Sequence, residues 1–276
     1  MTTGSADAAG NRGVDGVTAS EVPQRRVVLL GASNVTRSIA TVVDTACRAW
    51  GRPLDLLAAV GHGRSYGLRS RVLVRSLPGI LECGLWPALA ARPAAPTAAL
   101  ITDIGNDLFY GASPQMIAGW VDECCRRLAA TGARLVMTRL PVCNVGRVKE
   151  WQFAVFRAMS YPGCRATLAE ITRSAQELDE RLTEVAGRHD CRLIEPESHW
   201  YGLDPVHIRP FQSRRAWQSI LGGWNETLPE DAASSSLRRW IYLNARIPER
   251  RWLFGRQQGR PQPSGRLPDG TVVSLF

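Results

Sequence analysis

The sequence predicts an α/β protein, a three-layer α/β/α sandwich around a central parallel, doubly wound, flavodoxin-like sheet of five strands. Two observations carry this. Five short, largely apolar runs recur along the chain: RVVLLG (26–31), LDLLAAVG (54–61), TAALITDIG (97–105), ARLVMTRLP (133–141) and CRLIEP (191–196). Longer segments with helical periodicity separate most of them. Strands without polar alternation are buried on both faces, and helices between them supply the cover. With 276 residues, 45% of them hydrophobic, the chain can bury a sizeable core.

The elements follow in order. Residues 1–24 are rich in Gly, Ala, Ser and Asp, lack periodicity, and are expected to be a disordered tail. After the first strand, 34–51 reads as a helix. Residues 70–77, SRVLVRSL, read as a short helix, and 78–96 is broken by Pro and Gly. Residues 113–132 read as a helix with Ser113 as N-cap, Pro114 in the first turn and Gly132 as C-cap. A long connection, 141–166, is a candidate lid. Helices over 168–189 and 210–224 complete an expected domain at 25–224. The remaining segment, 225–276, is an extension rich in Arg, Pro and aromatic residues.

Composition excludes several classes. The net charge is +9, and Lys149 is the only lysine, so arginine carries nearly all the positive charge. This gives no firm evidence for a nucleic-acid or membrane partner, although Arg238, Arg239, Trp240, Arg250, Arg251 and Trp252 interleave cations with aromatics. The seven cysteines form neither a disulfide framework nor a CxxC zinc spacing. The first twenty residues lack the apolar stretch of a secretory signal, and no run of 18 apolar residues occurs. A cytoplasmic protein with reduced thiols is expected. The oligomeric state is not legible.

In a parallel sheet, ligands sit beyond the carboxyl ends of the strands. Those ends carry Gly31-Ala32-Ser33-Asn34, Gly61-His62-Gly63-Arg64-Ser65 and Gly105-Asn106-Asp107, and a late loop carries Asp204-Pro205-Val206-His207. The first junction could cradle a phosphate. A dinucleotide turn, however, needs glycines where Val35 and Arg37 stand, and no Gly-Lys-Ser/Thr exists for a P-loop. The other use of a strand–turn–helix junction is to present a nucleophile. Ser33 needs a base and a group to orient that base, and His207 with Asp204 three residues earlier can supply both. Donors for an oxyanion are the Ser33 N–H, a glycine N–H after the second strand, and the Asn106 amide.

These four blocks, in this order, resemble the SGNH (GDSL-like) hydrolase superfamily over about residues 26–224. The resemblance implies Ser33 as nucleophile, His207 as base and Asp204 as orienting acid. It implies Gly63 and Asn106 as oxyanion donors beside Ser33, with Gly61 as the alternative to Gly63. The Gly63-Arg64-Ser65 block is similar to that of carbohydrate acetylesterases in the superfamily and favours Gly63. Ala32 departs from the pattern, which usually has Asp there. The expected activity is hydrolysis of an acyl or acetyl ester of a small molecule or carbohydrate, without cofactor or metal. His62, Phe109 and Tyr110 are candidate substrate-lining residues, with His199 and Trp200 near the predicted site loops. Two rivals stand beside this reading. One is a metal-dependent phosphoesterase built on Asp103, Asp107, Asp204, His62 and His207, which lacks an Asn-His motif because Asp107 follows Asn106. The other is an inactive SGNH-fold binding protein that works through its basic extension.

Overall fold

Every second residue of the first strand faces the opposite side of a sheet. In the computed structural model, which describes residues 1, 25–146, 148–202, 204–225 and 236–276, that alternation divides the core in two. Val28, Leu30, Leu57, Ala59, Ala99 and Ile101 face one layer of helices. Val27, Leu29, Leu54, Leu56, Ala98 and Leu100 face the other. All twelve are fully buried. The tail expected at 1–24 lies, Met1 aside, outside the described residues.

The strands β1 (Arg25–Leu30), β2 (Leu54–Ala59), β5 (Thr97–Ile101), β6 (Arg134–Thr138) and β7 (Arg192–Ile194) are the five expected ones. Their spatial order β2-β1-β5-β6-β7 is parallel and doubly wound. The sheet has seven strands rather than five, because the final segment adds β10 (Gly265–Arg266) and β11 (Val272–Leu275). β11 lies parallel to β2 in the register Val272↔Asp55 to Leu275↔Ala58, and β10 pairs antiparallel outside it. Within an Arg- and Pro-rich stretch, four residues rich in valine were too short a signal to stand out.

The segment 70–77 is a hairpin and not a helix. β3 (Ser70–Val72) and β4 (Arg75–Leu77) pair antiparallel around Leu73-Val74. β4 then pairs with β8 (Arg251–Leu253), itself in a hairpin with β9 (Arg256–Gln258). Eight residues are too few for a stable isolated helix. The β-branched valines favour a pleated surface once a partner strand is present.

The helices on the first face include α5 (Pro114–Ala129) and α8 (Leu168–Arg188), which pack together. Ser113 caps α5 by accepting from Met116 N–H at 3.2 Å. The C-cap is Ala130, and Gly132 takes a left-handed turn two residues later. On the other face α2 (Ile39–Trp50) packs on α9 (Ser213–Gly222) and α10 (Leu237–Asn244). The helix expected over 34–51 is interrupted at Ser38, so α1 (Ser33–Arg37) is a separate turn. The segment 78–96 contains a 3₁₀ turn and α3 (Leu85–Ala90). After β5 comes the short α4 (Asn106–Phe109), and the connection 141–166 contains α6 (Val142–Val145) and α7 (Glu150–Ser160). Among the described residues, no helix is long and apolar enough to cross a membrane.

Val273 is fully buried at the centre of β11 and packs in the core that β2 shares. Val273→Asp places an unpaired charge there and is expected to lower stability by more than about 3 kcal/mol. The shift of the urea unfolding midpoint measures this. An unchanged midpoint would mean that β11 is not part of the cooperative core.

Candidate active site

The turn after β1 is tight because Gly31 lies against β5. A Cβ there would stand 2.8 Å from the Thr102 methyl and 3.0 Å from that of Val35. Ser33 begins α1, where the first N–H groups of a helix have no intrahelical acceptor. The turn is held from β5. Asp103, in the left-handed region at φ 58°, accepts through Oδ2 from the N–H groups of Ala32 and Asn34, each at 2.9 Å. Its Oδ1 accepts from the Asn34 amide at 2.7 Å. Ala32 therefore needs no carboxylate of its own, since Asp103, just after β5, supplies one.

Asn34 also reaches the late loop. Its Nδ2 donates to Val206 O at 3.0 Å, and its Oδ1 accepts from Ile208 N–H at 2.9 Å. Those two bonds flank His207. The imidazole Nε2 lies 2.8 Å from Ser33 Oγ, and Nδ1 lies 2.6 Å from Asp204 Oδ2. The other Asp204 oxygen accepts from the N–H groups of Val206 and His207, each at 3.2 Å. Burial pushes the Asp204 carboxyl up, but the hydrogen bond and charge of His207 and these two N–H groups outweigh it, and the net shift is downward. Asp204 is thus ionised and can fix the imidazole with Nε2 towards Ser33.

The loop after β2 passes the same point. Gly63 has φ 61° and lines the cavity with Ser33 and Asn106, whereas the carbonyl of Gly61 closes the turn by accepting from Arg64 N–H at 3.1 Å. Asp107, fully buried, accepts from the Ser65 hydroxyl and from Tyr66 N–H, and so ties α4 to this loop. Two tyrosines complete the arrangement. Tyr110 donates to Gly63 O at 2.7 Å, and Tyr161, just after α7, donates to Asn106 Oδ1 at 2.8 Å. Desolvation and the nearby Asp107 carboxylate push both phenols up, so both keep the proton they donate. With its oxygen engaged by Tyr161, the Asn106 amide turns its N–H₂ the other way, where it makes only long contacts of 3.4–3.5 Å to Asp103 O and Arg64 O.

Next to Ser33 opens a cavity of about 650 Å³. Its walls include Phe109, Leu140, Phe153, Phe156, Leu168 and Ile171. Phe109 stacks on Tyr161 at 4.7 Å and meets Phe156 edge-on at 5.5 Å. His62 lies at the mouth. Desolvation and the charges of Arg75, Arg37 and His207 hold its pKa down to about 4, so it is neutral at pH 7. Tyr110 is not on the cavity wall; its ring packs edge-on against Tyr161. Trp200 is buried along the cavity, and His199 is turned out beside Glu197. Among the described residues, no three His, Cys, Asp or Glu side chains come together as a metal site. Asp103 and Asp107 are each taken up by N–H and side-chain donors.

No family model and no curated protein matches the sequence. Similar solved structures exist. The native aryl esterase of M. smegmatis superposes with a TM-score of 0.51 at 11% identity, over 74% of this chain and 100% of that one. Est24, a carbohydrate acetylesterase from Sinorhizobium meliloti, gives 0.48 at 14% identity, over 71% and 96% of the two chains. TesA gives 0.48 at 15% identity, over 73% and 98%. The chain has the SGNH hydrolase fold. At these identities the likeness speaks of the fold alone. Within the SGNH fold, the sequence named the residues at the strand ends. It missed Asn34 as a tether, Asp103 as the clamp and Tyr161 as the partner of Asn106. The one available signal was Asp103, a carboxylate directly after an otherwise apolar strand.

Burial raises the Asp107 pKa to about 6, against the lowering by Ser65 and Tyr66. The folded-state value thus stands above the unfolded value of about 4, so this group's contribution to stability falls as pH rises from about 4 through 6. The Ser65 hydroxyl matters most when Asp107 is ionised. Ser65→Ala is therefore expected to cost about 1.5–3 kcal/mol at pH 8 and clearly less at pH 4.5. Thermal unfolding at the two pH values tests this, and an equal loss at both would contradict it.

Proposed function

We propose that this protein is a serine esterase in which Ser33, His207 and Asp204 act as nucleophile, base and orienting acid. The observation that supports it best is the continuous hydrogen-bonded line from Asp204 through His207 to Ser33 at the mouth of an apolar cavity. His207 Nε2 takes the proton of Ser33 as Oγ attacks the ester carbonyl carbon. The imidazolium that forms is stabilised by Asp204. The oxyanion of the tetrahedral intermediate accepts from Ser33 N–H, Gly63 N–H and Asn106 Nδ2. Collapse expels the alcohol, which takes its proton from His207 and leaves an acyl-enzyme on Ser33. Water, deprotonated by the same histidine, releases the acid and restores the serine. No cofactor takes part in this sequence.

The cavity also bears on the substrate. Acetyl would leave most of about 650 Å³ unfilled. Aromatic and branched walls favour an ester whose acyl or aryl group is larger and apolar, since each buried methylene is worth about 0.8 kcal/mol. We therefore place a small-molecule ester with such a group ahead of an acetylated sugar. Tyr161 acts as a positioning residue, because its bond to Asn106 sets the direction of the amide.

A fluorophosphonate probe is expected to form its adduct at Ser33, located by peptide mass spectrometry. Ser33→Ala should lose the label and about 10⁶-fold in kcat on p-nitrophenyl butyrate. Turnover by Ser33→Ala at the parent rate would sink the mechanism. Asn106→Ala is expected to reduce kcat about 10²–10³-fold. Tyr161→Phe, which loses only the orienting bond, should reduce kcat by about tenfold with KM nearly unchanged. A KM effect alone would make Tyr161 a wall residue and nothing more. Turnover that is abolished by a chelator and restored by a divalent cation would favour the metal-dependent rival instead.

A further inference from the structure

The two hairpins outside the main sheet have an unusual choice of turn residues. Left-handed turn positions favour Gly, Asn or Asp, and a bulky side chain there costs about 1–2 kcal/mol. Here Leu73, between β3 and β4, has φ 53°, and Phe254, between β8 and β9, has φ 49°. Both point outward, with 79% and 74% of their surface exposed. Exposed Val74 lies between them, and its carbonyl accepts from Phe254 N–H at 2.9 Å, which locks the two tips together. The chain thus gives up backbone stability to hold apolar groups in water. Around the tips stand Arg71, Arg250 and Arg256, all exposed, with Arg75 and Arg251 half-buried. Neither 70–77 nor 251–258 contains a carboxylate.

The same hairpin borders the cavity through Val72. Helix α7 also borders it and carries Trp151, Val155 and Met159 at four-residue spacing, so the three share one face. All three are exposed, Trp151 at 65% and Met159 at 73%. Two apolar projections, one ringed by arginine, therefore border a single opening.

We infer that the tips of the two hairpins, together with the outer face of α7, dock the protein on an anionic lipid bilayer with the cavity mouth towards the lipid. Apolar tips enter the acyl boundary while the arginines meet headgroup phosphates. The alternatives fit the surface less well. A second copy docked symmetrically would set arginine against arginine. Single-stranded nucleic acid stacks successive bases on a row of open aromatic faces, yet in the arginine-ringed hairpins Trp252 is covered by the Arg69 guanidinium at 3.8 Å, which leaves Phe254 as the one open ring there.

The test is flotation of the full chain with vesicles of phosphatidylcholine containing roughly 30% phosphatidylglycerol, against phosphatidylcholine alone. Binding is expected only to the anionic vesicles and is expected to weaken with salt. The double variant Leu73→Asn/Phe254→Asn should lose at least about tenfold in partitioning while its melting temperature stays level or rises, because Asn tolerates the left-handed region. Arg71→Gln/Arg256→Gln should lose about as much. The inference is overturned if the parent ignores anionic vesicles, or if the Asn pair binds them as well as the parent. It is also overturned if sedimentation reveals a dimer that the Asn pair dissociates, or if the parent binds single-stranded nucleic acid more tightly than vesicles. Since binding and melting are read without turnover, failure here is separate from failure of the esterase reading.

Discussion

The carboxylate of Asp103 holds together parts of the chain that are far apart in sequence. It accepts three bonds from the turn that carries Ser33, two from backbone N–H groups and one from the Asn34 amide. Asn34, so fixed, grips the backbone on both sides of His207. The distance from serine to imidazole is therefore set from the end of strand β5, next to the central strand β1, and not by the late loop alone. A half-buried carboxylate that accepts three donors holds its geometry more strictly than the same bonds scattered over separate solvent-facing groups would. Its left-handed backbone is the local cost, and it persists because the surrounding bonds over-determine it.

A second set of constraints links the cavity wall to the proposed oxyanion donors. Tyr110 and Tyr161 touch one another edge-on and hold Gly63 and Asn106 respectively. Tyr161 directly follows α7, so the segment that forms the outer wall also orients one donor. Displacement of α7 by a bulky ligand would thus disturb the amide of Asn106. In the proposed mechanism, recognition of the apolar group and stabilisation of charge are therefore mechanically joined.

Much of this was legible in the sequence. Five strand runs, their order, and the residues after them follow from burial on both faces and from the rule that sites collect at carboxyl ends. What escaped was of two kinds. The hairpin at 70–77 and strand β11 gain their identity from partners about 180 and 220 residues away in the chain, and local propensity cannot carry that information. Asp103, Asn34 and Tyr161 act through side-chain hydrogen bonds that depend on side-chain direction. Tyr161, in a connection read only as a candidate lid, gave no local sign that it would meet Asn106.

The position of β11 has a further consequence, for the order in which the molecule assembles. Beside β2, on the side away from β1, the sheet stays open until residues 272–275 arrive. A chain made from its N-terminus therefore carries an uncovered parallel edge from the emergence of β2 until that of β11, and closing so long a loop slows this pairing. That pairing also delivers the backbone oxygen of Phe276 to the guanidinium of Arg64, the residue next to Gly63. The loop that faces Ser33 gains this support only with β11, so a nascent chain with every proposed catalytic residue already present would still lack it.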